Sequence, residues 1–295
     1  MHANKIVAII LTKDEELHLA RCVESLKKIN AKVVVVDSGS SDLTCKIAKE
    51  NGCEVYFNPW VNYSHQFNYA LNNFVGGADW VFRIDADEYI DDQCAESICK
   101  KVEDESVNAI YLNRYICFKG RLLKQGGMSK YYMLRLWRGG LGYCENRWMD
   151  EHIVVEGENS SLCDGKLVDE SLKPFGWWLE KHVGYAKREA VDVLNQKFFL
   201  FRESAGVGKN SKTRFFKKIF NILPIYIRSW VLFFYRYVIL GGFLDGRQGY
   251  EWAFMQTLWY RNLVDMNVKD VLEYMRKFDV SCSEAIQEKL DIKVV

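Results

Sequence analysis

Apolar residues fall into two rhythms over the first hundred positions, and their alternation predicts the architecture. Ile6 to Leu11 is an unbroken apolar run of strand length, and Lys32 to Val36 repeats it before Asp37. Runs this short and this apolar fit strands covered on both faces. Between them Leu17, Ala20, Val23 and Leu26 recur at helical spacing behind Thr12-Lys-Asp-Glu15, a capping-box pattern. Ser41 is placed to cap a second helix bearing Leu43, Ile47 and Ala48, which Asn51-Gly52 stops. Cys53 to Phe57 is a third short strand, Ser64 starts a helix with Phe67, Ala70, Leu71 and Phe74 on one face, and Trp80 to Ile84 is a fourth strand. Strands and helices alternating at these lengths predict an α/β fold on a parallel, doubly wound sheet.

After Asp92 the pattern changes to a helix around Ala95, Ile98 and Val102, then strand-like runs at Ala109 to Leu112, Tyr131 to Trp137 and Ile153 to Val155. From Phe175 onward helical periodicity dominates, with a composition shift near Gly206-Val-Gly208. Two regions are therefore expected, residues 1–205 and a helical region 206–295. Forty basic and 39 acidic side chains nearly cancel, so nothing in the overall charge seeks nucleic acid. Nine scattered cysteines without a C-x-x-C pair fit reduced, mostly buried thiols and a cytosolic compartment. The first apolar run is short and followed by Lys13-Asp14-Glu15-Glu16, wrong for a secretory signal.

Arg83-Ile-Asp85-Ala-Asp87-Glu88 is the most informative segment, because a buried strand delivers carboxylates just where it leaves the sheet. Three crowded acids repel unless a cation sits among them. Mg2+ or Mn2+ suits such oxygen ligands and commonly shares its coordination with substrate phosphates. In doubly wound sheets ligands bind beyond the carboxyl ends of the strands, where Thr12, Asp37 and Asp85 all lie.

Four segments, Ile10-Leu-Thr-Lys-Asp-Glu15, Val36-Asp-Ser-Gly-Ser-Ser-Asp42, Trp80-Val-Phe-Arg-Ile-Asp-Ala-Asp-Glu88 and Trp148-Met-Asp-Glu-His152, occur in an order that resembles family-2 glycosyltransferases of the GT-A fold. The resemblance is to the bacterial lipopolysaccharide-core glucosyltransferase type, with weaker similarity through Lys181-His182 and Gly242-Phe-Leu-Asp-Gly246. It implies a Rossmann-like GT-A domain in which Thr12, Lys13, Glu15, Asp37 and Asn68 line the nucleotide-sugar pocket and Asp85 and Asp87 form the metal motif. Asp37 is followed by Ser38 where the family often has a second acid, and Phe67 stands where a basic residue is frequent. Inverting sugar transfer needs a base for the acceptor hydroxyl. Similar enzymes place it in the segment that here holds Glu151, with Asp150 as the second choice, and His182 is a candidate for completing the metal shell. The expected reaction moves a sugar, on the family's weight a UDP-linked hexose, to a saccharide or lipid-linked acceptor in bacterial cell-surface polysaccharide or lipopolysaccharide synthesis.

Between Glu203 and Asp245 there is no acidic residue, while Lys209, Lys212, Arg214, Lys217, Lys218, Arg228 and Arg236 lie inside, along with the apolar run Ile222 to Leu240. Two central arginines would cost about 2.5–3.5 kcal/mol each on insertion, which roughly a dozen apolar residues only cancel. Pro224 and Gly241-Gly242 bracket a helix of about 24 Å, short of a hydrocarbon core of about 30 Å. Arg228 and Arg236 share a stripe, which predicts peripheral attachment to the anionic inner face of the cytoplasmic membrane. Two other readings compete with sugar transfer. A sugar-phosphate nucleotidyltransferase wants a glycine-rich phosphate loop, and Thr12-Lys-Asp-Glu-Glu16 is acidic and has no glycine. A non-catalytic receiver-like module does not account for the Trp-rich acidic segment or the helical tail.

Overall fold

The computed structural model describes residues 5–129, 131–145, 152–201, 224 and 226–293. The chain divides into two compact units, the first reaching Leu172 and the second starting at Lys173, with Lys124–Gly127 also belonging to the second. The division falls well before the composition shift at 206, because the helix Phe175–Phe198 buries Ala186, Ala190, Val191 and Leu194 among the C-terminal helices.

The first unit is a mixed α/β domain. Its N-terminal half runs β1 (Ile6–Thr12), α1 (Leu19–Lys27), β2 (Lys32–Asp37), α2 (Thr44–Glu50), β3 (Glu54–Phe57), α3 (Tyr63–Phe74) and β4 (Trp80–Arg83). There follow β5 (Glu88–Ile90), α4 (Asp92–Lys101), β6 (Ala109–Phe118), β7 (Arg121–Leu122), β8 (Tyr131–Arg138), β9 (Gly142–Cys144), β10 (Ile153–Val155), β11 (Ser160–Leu162) and β12 (Leu167–Asp169). The main sheet has the order β3-β2-β1-β4-β8-β6-β12-β5, parallel from β3 to β4 and mixed beyond. Alternation explains the unbroken apolar runs. Ile6, Ala8, Ile10, Val33, Val35, Trp80 and Phe82 enter one core layer, whereas Val7, Ile9, Val34, Val36 and Val81 enter the layer on the opposite face.

Several helix starts differ from expectation. Thr12 remains in β1, α1 begins only after His18, and no Thr12 capping box forms. Asp42, not Ser41, receives the Thr44 N–H at 2.9 Å ahead of α2. Asn62 caps α3 by accepting from His65 N–H, and Asp91 caps α4 by accepting from Cys94 N–H. Strands β5, β7, β9, β11 and β12 are only two or three residues long, too short to show a period of two.

In the second unit the helices Phe175–Phe198, Tyr260–Phe278 and Cys282–Leu290 share one core. Asp245 ties in the excursion at Lys124–Gly127, accepting from the N–H groups of Lys124 and Gln125 at 2.9 and 2.8 Å. The helix Ile227–Phe234 continues as a π turn, Tyr235–Ile239. The arginine stripe on it is not an outward one. Arg228 is buried and forms a bidentate pair with buried Asp265, its Nε 3.0 Å from Oδ2, and Arg236 is only half-buried surface. The outward stripe is instead Ile227, Trp230, Val231, Phe234, Tyr235, Val238 and Ile239.

Gly142 opens β9 directly against the indole of Trp137, where an added Cβ would lie 2.6 Å from the ring. Trp137 is fully buried between Phe67 and the sheet, so it has nowhere to retreat. Gly142→Ala is expected to destabilise the protein by about 1–3 kcal/mol through overpacking, read as a lower thermal midpoint. An unchanged midpoint would show that the hairpin can shift away from Trp137.

Candidate active site

The strand order reverses between β1 and β4: β2 and β3 follow on one side of β1, while β4 joins it on the other. A crevice beyond the carboxyl ends is the consequence in such sheets. Thr12 ends β1 directly opposite Asp37, which ends β2, and Asp85 follows β4 by two residues.

Asp37 is buried and its carboxylate is fully engaged. Oδ1 accepts from the hydroxyls of Thr12, at 2.9 Å, and Ser40. Oδ2 accepts from the N–H groups of Gly39 and Ser40, both at 2.8 Å. Gly39 can turn its N–H inward because its φ of 97° is open to glycine. Burial by itself would raise the Asp37 pKa, but these hydrogen bonds outweigh it and hold the carboxyl below its ordinary value. Four donors fill the four acceptor positions of a carboxylate. In this arrangement Asp37 shapes the loop, and acceptance of a base N–H by it requires a Thr12 or Ser40 hydroxyl to rotate away.

Lys13 is exposed and its ammonium donates to the Gly39 carbonyl, which holds it over the same loop. Glu15 faces a different partner. Its Oε2 lies 2.6 Å from Nδ1 of buried His18, whose Nε2 accepts from Leu172 N–H at 2.8 Å. That pattern assigns the Nδ1–H tautomer to His18 and makes Glu15 a bracket for the α1 entrance. Asn68 also serves the scaffold, since its amide pairs twice with the Cys144 backbone, at 2.7 and 3.0 Å. These contacts anchor the β9–β10 hairpin to α3. Glu145 and His152 continue that anchoring, Glu145 N–H donating to the His152 carbonyl at 3.0 Å and His152 N–H to Glu145 Oε1 at 3.3 Å. Asp150 and Glu151, the expected bases, lie between these two and outside the described residues.

At the end of β4, Asp85 and Asp87 are half-buried and Glu88 is fully buried. Tyr63 donates to Asp85 Oδ1 at 3.4 Å, and burial, seconded by Asp85, pushes its phenol well above its ordinary pKa, so it stays a donor. Tyr63 also stacks on Arg83, whose guanidinium lies 4.4 Å from the ring centre. Arg135, itself buried, donates to Glu88 Oε1 at 2.5 Å. Burial pushes the Glu88 carboxyl upward, while Arg135 and Arg114 pull it back. A cation does sit among the three acids, and for Glu88 it is a guanidinium. Asp85 and Asp87 remain as a pair of hard oxygen donors. Among the described residues no group of three or more His, Cys, Asp or Glu side chains forms a metal site. Two carboxylates suit an ion that completes its shell from substrate phosphates and water.

His182 belongs to the second unit, inside the helix Phe175–Phe198. Its Nδ1 contacts the Trp178 carbonyl at 2.8 Å, its ring stacks on Trp178, and its Nε2 lies 3.4 Å from Gln256 Nε2. Burial lowers its pKa, against the Trp178 contact and with Lys181, so the imidazole is held neutral.

Tyr63, Arg83, Arg114 and Arg135 were not among the sequence candidates. A charged residue inside an apolar strand run, as in Val81-Phe-Arg83 and Met133-Leu-Arg135, is the signal that could have found two of them. Asp37→Asn tests the loop. A buried acceptor lost to mismatched donors costs about 1–3 kcal/mol. Because the folded-state pKa is depressed, the wild-type advantage is present above the unfolded value, near 3.8, and disappears as pH falls through the lower folded value. Melting curves of both proteins across that range should converge only at the acidic end.

The family model for Glycosyl transferase family 2 matches residues 7–154, half of the chain. The lipopolysaccharide core biosynthesis glycosyltransferase LpsC of Rhizobium meliloti is 28% identical over 284 residues, 90% of this chain and 97% of that protein. An uncharacterized glycosyltransferase of Rickettsia conorii is 37% identical over 123 residues, 40% of each chain, so the match spans well under half of that relative. The crystal structure of S. aureus TarS 1-349 in complex with UDP-GlcNAc aligns over 97% of this chain and 91% of that one, at 16% identity and a TM-score of 0.43. The match over β1 to β10 covers the strand-end acids just described, and the chain belongs to glycosyl transferase family 2.

Proposed function

We propose that this protein is a metal-dependent, inverting glycosyltransferase that moves a sugar from a nucleoside diphosphate sugar, a UDP-linked hexose by preference, to a saccharide or lipid-linked acceptor. The observation that carries this reading is the placement of Thr12, Asp37 and Asp85 at the carboxyl ends of β1, β2 and β4, neighbouring strands about the sheet's switch point. A sugar-phosphate nucleotidyltransferase has less support, because the loop after β1 offers no glycine-rich cradle. The role of LpsC in lipopolysaccharide core biosynthesis supports the same acceptor class here.

Asp87 and Asp85 would hold Mg2+ or Mn2+, which supplies charge neutralisation to the departing diphosphate. The chain's own residues do the rest. Thr12, Lys13 and the Asp37 loop receive the nucleoside end of the donor, and Tyr63 fixes one oxygen of Asp85. Glu151, or Asp150 beside it, takes the acceptor hydroxyl proton as that oxygen attacks the anomeric carbon. The bond from that carbon to the diphosphate breaks on the opposite face, and the nucleoside diphosphate leaves with the bonding pair. The backbone pairs made by Asn68 and Glu145 fix Cys144, Glu145 and His152 on either side of the segment that carries the base in sequence.

Attachment to the cytoplasmic face of a membrane is part of the same reading. No single described helix is long and apolar enough to cross a bilayer, although Ile227–Ile239 and Gly242–Phe278, bent by 69°, pass by length and composition as a pair. The exposed stripe from Ile227 to Ile239 supports interfacial insertion, driven by apolar side chains because Arg228 is committed to Asp265. Basic attraction would then come from Lys209 to Lys218, outside the described residues.

Purified protein incubated with a panel of nucleotide sugars, with and without Mn2+, should release nucleoside diphosphate only with metal and acceptor present. Glu151→Gln should lower kcat by about 100- to 10,000-fold with nucleotide binding intact, and full turnover would move the role to Asp150. Asp87→Ala should abolish metal-dependent turnover. In flotation with anionic liposomes the wild type should rise with the vesicles and Trp230→Glu/Phe234→Glu should remain behind; equal behaviour of the two rejects the insertion face.

A further inference from the structure

The turn bearing Asp85 and Asp87 is clamped by a side chain from the neighbouring strand. Strands β4 and β8 pair antiparallel with Phe82 opposite Leu136, which brings Arg135 to the end of β4. The Arg135 side chain is 2% exposed, and its Nη2 reaches both Glu88 Oε1, at 2.5 Å, and Asp85 Oδ2, at 3.5 Å. Glu88 in turn closes on Asp85: its Oε2 accepts the Asp85 N–H at 3.0 Å, and its own N–H donates to the Asp85 carbonyl at 3.0 Å. One guanidinium thus grips the side chain of Asp85 directly and its peptide through Glu88.

As a purely structural device this clamp is a poor one. Arg135 leaves Nε and Nη1 buried without a hydrogen-bond partner, and a buried ion pair is often matched or bettered in stability by apolar side chains of the same volume. Its placement makes sense at a site that must keep carboxylates close together. Asp85 and Asp87 repel one another, and a turn free to open would relieve that repulsion by parting them.

We propose that Arg135 is a positioning residue of the donor site, acting through Glu88 to hold Asp85 and Asp87 at the spacing that a cation-bound nucleoside diphosphate requires. The inference rests on the donor-site reading above. Arg135 touches neither sugar nor nucleotide in this role, so its removal should weaken cation binding before it weakens the fold.

The test is the double replacement Arg135→Met/Glu88→Met, which removes both buried charges and keeps the volume. Mn2+ binding is followed by electron paramagnetic resonance with UDP, GDP, ADP and dTDP in turn, alongside a melting curve. The expected result is a melting temperature equal to or above the wild type's, with Mn2+ affinity in the presence of nucleotide about 10- to 100-fold weaker. Unchanged Mn2+ affinity in a folded double variant overturns the inference and leaves the donor site standing. Wild-type protein that takes up no Mn2+ with any of the nucleotides overturns the donor-site reading itself, and the inference with it. Should the double variant not fold, Glu88→Gln decides: it keeps the volume and the Arg135 contact but replaces the Oε2 that accepts the Asp85 N–H with a donor, so weakened Mn2+ binding supports the role and wild-type binding refutes it.

Discussion

Three carboxylates within four residues at the end of a buried strand cannot share a small volume unless their charge is compensated. Around that constraint the first unit is organised. Arg135 reaches across from β8 to Glu88, Arg114 approaches Glu88 from β6 and pairs with Asp169 of β12, and Tyr63 from α3 bonds Asp85. Antiparallel pairing of β8 with both β4 and β6 is what makes the two arginines available at one point. Half-buried Asp85 and Asp87 are the acids with the chemistry to share a cation with phosphate.

Around this point the remaining polar residues act chiefly on backbone. Asp37 gathers four donors to close the loop after β2, Glu15 fixes His18 ahead of α1, and Asn68 grips both sides of the Cys144 peptide group. Such contacts fix the loops at the carboxyl ends of the strands. Side chains of the expected binding type are thus engaged with the protein itself, and hydrogen bonds to main chain hold the strand-end loops rigid.

The second unit solves a different problem. Its aromatic and aliphatic residues exceed what its core can cover, and the buried Arg228–Asp265 pair fixes which way the Ile227–Ile239 segment turns. With both Arg228 and Asp265 inside, the opposite face is left apolar and outward.

The sequence alone determined the strand–helix alternation, the doubly buried β1 and β2, and the strand-end positions of Thr12, Asp37 and Asp85, because each of these is written locally in hydrophobic period and run length. Family resemblance added the acids' chemistry. What it could not supply were the short strands β5, β9 and β12 and the partners that meet across them, since two or three residues carry no periodic signal and pairing is a long-range event. Only the tertiary structure decided that Arg135 neutralises Glu88, that Asn68 and Glu15 brace the scaffold, and that Arg228 points inward. A side chain's charge is legible in one dimension, but its counter-charge is chosen by whichever strand or helix folding brings beside it.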